Sequence, residues 1–184
     1  ALDKLGHKND TIIVFSSDHG YLLGEHHKFQ KQHLFEESTR VPFILSVPWI
    51  KDTHGGQTKK ITELVDLYPT LAELAGLPPP DVLQGQSLVT LLDDPASNAW
   101  KKDMAFTISR SGGESIRTYD WRYTHWGHGE KGQELYDLKK DPGEFTNLAD
   151  DPNYSESLKK LKQKLELKRT EAGYSDKRFG RKKK

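Results

Sequence analysis

Asp18 and His19 stand side by side in Ser17-Asp18-His19-Gly20, directly after the uniformly apolar run Thr11-Ile12-Ile13-Val14-Phe15. A carboxylate and an imidazole emerging together from the end of a strand can both reach one cation, and Gly20 lets the backbone turn sharply beside them. The same letters also make a plain turn, with Asp18 capping the following segment and His19 in water. Gly24-Glu25-His26-His27-Lys28 and Lys31 follow, then Leu34-Phe35-Glu36-Glu37-Ser38-Thr39-Arg40-Val41-Pro42, so the connection is dense in groups that carry charge or bind metal. The chain has no cysteine, which excludes cysteine nucleophiles, thiolate zinc sites, iron–sulfur clusters and disulfides from it.

The elements that must position these residues are legible in outline. Residues 11–15 are apolar at every position, the pattern of a central parallel strand covered on both faces. A second strand is expected over Val41–Val47, bounded by Pro42 and Pro48. The 24 residues from Ser17 to Arg40 form a connection long enough to be functional or to contain a short helix. Ala1 to Leu5 reads as a helix end with Gly6 as its cap. Ile61–Ala75 carries Leu64, Leu67, Leu71, Leu74 and Ala75 at helical spacing, which predicts a helix with Pro69 in its first turn and Gly76 as cap. After a break at Asp93-Asp94-Pro95, short β-prone runs at 105–109, 115–119, 122–126 and 134–138 predict a small antiparallel sheet. Ser155–Thr170 predicts a helix packed across it on Leu158, Leu161, Leu165 and Leu167. Tyr136, Phe145 and Leu148 are expected beneath that helix, and a basic tail follows from Lys177.

The span from Thr11 to Val47 resembles the second signature region of the sulfatases, within the alkaline phosphatase superfamily: a strand, Asp-(His/Asn)-Gly, a Gly-Glu step, a Lys, an acidic pair and Arg-x-Pro before another strand. The likeness continues in family order through Leu64–Leu77, Ser115–Thr118, Arg122–Thr124, Glu134–Leu138, Asp141-Pro142 and Asn147-Leu148. Ser115–Trp126, with the Leu64–Leu77 helix, is most similar to the iduronate-2-sulfatase branch. The resemblance implies an α/β fold: residues 1–95 as the C-terminal portion of an alkaline-phosphatase-like core with the metal-site loop, 96–172 as a small antiparallel subdomain with its C-terminal helix, and 173–184 as the basic tail. It implies Asp18 and His19 as metal ligands and Lys31 as the contact to the sulfate group. His26 and Arg40 receive no role from it.

The family nucleophile is a formylglycine made inside a Cys/Ser-x-Pro-x-Arg motif, which is absent here, and the other acidic metal ligands also belong to a family N-terminal half. The chain is therefore expected to be the C-terminal part of a sulfatase acting on a sulfated saccharide or another sulfate ester, inactive without its N-terminal partner. The metal is expected to be Ca2+, with Mn2+ or Zn2+ open because one ligand is an imidazole. Two alternatives stand beside this: a phosphonate or phosphate monoester hydrolase of the same superfamily, and a non-catalytic truncated domain. Arg117, Arg122, His125 and His128 could face an anionic substrate but fit structural pairing better; Trp121 and Trp126 fit packing.

Lys plus Arg number 28 against 27 acidic residues, a net charge of +1 that disfavours nucleic acid as a partner. No apolar run approaches the roughly 18 residues of a membrane span. Apolar content, counted with Gly and without Tyr, is about 38%, below the roughly 45–50% of ordinary domains. Such a chain is short of core. Extracellular, periplasmic or lysosomal residence is implied only by the family.

Overall fold

The computed structural model describes residues 1–173, and the basic run from Lys177 lies outside them. Three small sheets and four α-helices make up the mixed α/β fold. Ile13–Ser16 (β1) pairs with Phe43–Ser46 (β4), Ile13 opposite Ser46 and Ser16 opposite Phe43. The pair is antiparallel, whereas the uninterrupted apolar run predicts parallel neighbours; no parallel pair occurs among the described residues. One face of the ribbon accounts for half of that apolar content: Phe43 and Leu45 pack on Leu88, Leu91 and Trp100. On the other side Ile13, Phe15 and Ile44 are 49%, 59% and 58% exposed. Among the described residues nothing encloses these three side chains.

The long connection between β1 and β4 holds two pieces of structure. A two-residue-deep hairpin joins Leu22–Leu23 (β2) to Phe29–Gln30 (β3), and a single helical turn, Glu36–Thr39 (α1), precedes β4. Within the helically spaced segment 61–75, Pro69 falls in the first turn of the α-helix, as expected. Glu63 and Asp66 form a reciprocal capping box, a short 3-10 turn occupies Leu64–Asp66, and the α-helix proper runs Leu67–Leu74 (α2). Gly76 follows with a positive φ of 68°, as a cap requires. Asp66 is fully buried. It accepts the Lys102 ammonium at 2.7 and 2.8 Å and the Glu63 and Gln86 amides at 2.8 and 2.9 Å. The apolar patch at 88–92 forms a further helix, Val89–Asp93 (α3).

The C-terminal half follows the sequence pattern closely. Met104–Ile108 (β5), Gly113–Thr118 (β6), Trp121–Trp126 (β7) and Gln133–Asp137 (β8) form one antiparallel meander in chain order. Ser155–Glu171 (α4) lies across it, and Ile116, Tyr123, Leu135, Ala149, Leu161 and Leu165 form the shared core, with Leu148 and Leu158 packed at its edge. Leu167 is 65% exposed, because two residues beyond Leu165 turns a helix by about 200° and carries the side chain to the far face. Tyr136 and Phe145 also depart from expectation. Tyr136 leaves the sheet on the side opposite Leu135 and meets Phe35, and Phe145 meets His26.

Candidate functional site

The turn after β1 is held by its own small groups. Ser17 Oγ donates to the His19 carbonyl at 2.7 Å, and the Gly20 amide donates to the Ser38 carbonyl of α1 at 2.8 Å. A Cβ on Gly20 would stand 1.8 Å from the Glu37 carbonyl oxygen, so only glycine lets this turn rest on the α1 backbone. Asp18 and His19 converge: His19 Nε2 lies 3.6 Å from Asp18 Oδ2, with the Asp18 side chain 84% exposed and that of His19 34% exposed. His19 Nδ1 is 2.7 Å from the Gly20 carbonyl. A carbonyl only accepts, so Nδ1 carries the proton, and a neutral ring then presents the Nε2 lone pair beside the carboxylate. An N···O separation of this size suits two ligands on one divalent ion with bonds of about 2.0–2.5 Å. The donor set, one carboxylate oxygen and one imidazole nitrogen, fits such an ion in part and leaves most of its coordination to other groups.

Lys31 lies exposed in the bend after β3 and has no hydrogen-bond or ion-pair partner among the described residues. The structure brings Asp18 and His19 together. It makes no contact between either of them and Lys31.

His26, which the sequence leaves without a role, is the pin of the connection. Its ring stacks on Phe35 at 3.7 Å between centroids and 6° between planes, with Phe145 at 5.4 Å, and its Nε2 faces Glu37 Oε2 at 3.6 Å. His26, Glu37 and Glu144 place one potential ligand atom each within 4.8 Å of one another. Both oxygens of Glu144 are already used, one by Arg122 Nε and the other by the Glu36 amide at 2.8 Å, whereas His26 Nε2 and Glu37 Oε2 are buried without a hydrogen-bond partner among the described residues.

Around α1 lies a network of charged side chains from both halves of the described chain. Glu36 Oε1 accepts from Arg117 Nε at 2.8 Å and Arg122 Nη2 at 3.0 Å, and Arg122 Nη2 also reaches Thr39 Oγ1 at 3.2 Å. Arg122 is 2% exposed and Glu144 1%. Burial pushes the Glu36 carboxyl up, but Arg122 and Arg117 outweigh it and hold the group below its ordinary value. For Glu144 burial wins over Arg122, and its carboxyl is pushed up. Arg117 and Arg122 are thus committed to ion pairs, and buried His125 faces Glu114 at 3.3 Å. Nothing in the sequence around Glu144 marks its part in this network; it sits at a positive φ of 57° after Gly143, 108 residues from the amide it caps. The outer side of α1 borders an open cleft of about 400 Å3 lined by Glu36, Glu37, Arg40, Arg117, Leu138 and Pro142.

An Asp-His-Gly turn at the end of a strand is thus followed by a four-stranded antiparallel sheet under a C-terminal helix, the mixed α/β arrangement of the C-terminal region of sulfatases. Residues 24–171 match the family described as N-sulphoglucosamine sulphohydrolase, C-terminal, and the chain belongs to that family. Arylsulfatase K of Mus musculus is 36% identical over 180 residues, covering 90% of this chain and 31% of the relative. A solved structure in complex with its substrate D-glucosamine-2-N,6-O-disulfate superposes with a TM-score of 0.80 at 30% identity, over 95% of this chain and 37% of that one. The phosphonate monoester hydrolase of Agrobacterium radiobacter also superposes with a TM-score of 0.80 at 30% identity, over 92% of this chain and 37% of that one. The chain spans about a third of the length of the curated relatives it matches.

Proposed function

We propose that this chain is the metal-loop and C-terminal part of a sulfatase that hydrolyses a sulfate ester of a sugar, working with an N-terminal portion that carries the formylglycine nucleophile. The observation that carries this reading is the convergence of His19 Nε2 and Asp18 Oδ2 at 3.6 Å with the imidazole tautomer fixed by Gly20. Asp18 and His19 would hold a divalent ion. When bound, that ion draws charge from the ester's anionic oxygens and eases the shift of charge as the S–O bond breaks. His19 keeps its ring oriented through the Nδ1–H bond to Gly20. Lys31, on the same connection, offers an ammonium to a sulfate oxygen. Ca2+ suits the exposed carboxylate, and the imidazole also admits Mn2+ or Zn2+.

The sugar class is supported by the solved relative whose substrate is a disulfated glucosamine. The narrower iduronate-2-sulfatase likeness rests on the Ser115–Trp126 run with the Leu64–Leu77 helix, and the arylsulfatase K relative does not support that branch in particular. The exposed face of the β1–β4 ribbon supports a partner segment that continues the sheet. A second reading, phosphonate monoester hydrolysis, is favoured by the equally good superposition on such a hydrolase.

The test uses the full-length protein that contains this chain. Aryl sulfate turnover well above aryl phosphonate turnover is expected, and Asp18→Ala is expected to lower it by roughly 100-fold or more, the usual scale for losing a metal ligand's contribution to transition-state charge. Phosphonate preference would favour the second reading, and a fully active Asp18→Ala protein would remove Asp18 from the site.

A further inference from the structure

We infer that Arg122, on the C-terminal sheet, is a positioning residue for the Asp18–His19 pair, acting through α1; this rests on the metal-site reading above.

The chain of contacts is continuous. The Asp18–His19 turn is fastened to α1 by the Gly20 amide on the Ser38 carbonyl, and the Gly20 Cα presses on the Glu37 carbonyl with no room for a methyl group. The position of the pair therefore follows the position of α1. That element is one turn of four residues, and Phe35 at its N-cap supplies no side-chain cap. A helix this short cannot hold its own geometry, since nucleation costs more than one turn of hydrogen bonds returns. Its shape must come from outside.

Arg122 supplies most of it. Its Nη2 donates to Glu36 Oε1 at 3.0 Å, in the first residue of α1, and to Thr39 Oγ1 at 3.2 Å, in the last. Its Nε donates to Glu144 Oε1, and the other oxygen of Glu144 accepts the Glu36 amide at 2.8 Å, one of the donors a helix start leaves open. One guanidinium thus spans both ends of the turn and also orients the carboxylate that caps it. Only a planar fork with several fixed donors can do this; a Lys ammonium reaches one or two of these acceptors. At 2% exposure Arg122 is beyond reach of a bulk substrate, so its influence on chemistry runs through α1.

The experiment uses the full-length protein, stripped of metal by a chelator and titrated with calcium. Arg122→Lys keeps the charge and loses the fork. The expected result is a rise of about tenfold in the calcium midpoint, read by calorimetric binding to the stripped protein and again by restored activity, the lower end of what losing outer supports of metal ligands costs, with kcat at saturating calcium changed by no more than about twofold. Leu135→Ala, in the apolar core of the same sheet, is the control: it lowers thermal stability and leaves the calcium midpoint in place. An unchanged midpoint in Arg122→Lys, or an equal shift in Leu135→Ala, overturns the inference. If Arg122→Lys does not fold, Glu36→Gln takes its place with the same two readings. Asp18→Ala separates this inference from the site itself. If it titrates like the unmodified protein, the metal-site reading falls; if it is inactive while Arg122→Lys titrates normally, only the role of Arg122 falls.

Discussion

At the scale of single residues, the protein's charges are of two kinds. Asp18 and Lys31 are exposed and lack a tight partner among the described residues, which leaves them open to the contacts proposed for them. Arg122 and Glu144 are buried, Glu36 is half-buried beside them, and the three are tied to one another by ion pairs and hydrogen bonds. The two carboxylates respond to pH in opposite senses. Glu36 is held below its ordinary 4.5 in the folded protein, so its contribution is complete above that value and is lost as pH falls through the lowered one. Glu144 is pushed above 4.5, so its ionised form opposes folding and protonation relieves that cost as pH falls. Glu36→Gln is therefore expected to cost about 2 kcal/mol near neutral pH, the scale of hydrogen bonds to a charged group, and progressively less as the pH falls below 4.5. Urea unfolding at pH 7 and pH 3.5 measures this; an equal loss at both values would show that the Glu36 charge contributes nothing. The position of Asp18 and His19 was legible because strand, acid, imidazole and glycine are contiguous. Glu144 was not, because its partners are separated from it by 22 and 108 positions and no local spacing encodes them.

At the scale of elements, legibility followed how local each element's cause is. The four strands between 104 and 137 and the helix after 155 are written in alternation, turn residues and a leucine stripe, and all formed within a residue or two of expectation. Where a distant partner decides, the sequence misled. Residues 61–66 have helical spacing, yet Lys102 and the capping box hold Glu63 and Asp66 in a separate turn. The apolar run at 11–15 reads as a central strand, and which neighbours it takes is a property of other segments. The stripe on α4 allows a direct check. Leu165 is fully buried between Ile116, Tyr123 and Leu135, and Leu165→Ala is expected to cost about 2–5 kcal/mol. Leu167→Ala, on the solvent face, is expected to stay within about 0.5 kcal/mol. Denaturant unfolding of both variants decides; equal losses would mean that α4 sits on the sheet by another face.

At the scale of the whole molecule, the distribution of apolar side chains is lopsided. Around the C-terminal sheet they are enclosed, as Ile116, Leu135 and Leu165 at 0% exposure show. Near the metal-loop end Phe15, Ile44, Leu23 and Phe29 are 59%, 58%, 73% and 65% exposed. Large apolar side chains exposed together on one ribbon face, as Phe15 and Ile44 are, mark surfaces that other protein covers, and the curated relatives are about three times as long. A segment of the longer protein that continues the β1–β4 sheet is the proposed cover. The same surface then has opposite energetic signs in two contexts. In the 184-residue chain, Phe15→Ser with Ile44→Ser removes apolar area that faces water, so thermal stability is expected to hold and binding of a hydrophobic dye to fall. In the full-length protein those side chains would be buried, and the pair should cost roughly 3–6 kcal/mol from lost burial and stranded hydroxyls. Dye fluorescence on the chain and thermal unfolding of the full-length protein supply the two readings. If the full-length protein tolerates both substitutions without loss, the ribbon is surface in the complete enzyme too, and the N-terminal portion must approach the metal turn from another side.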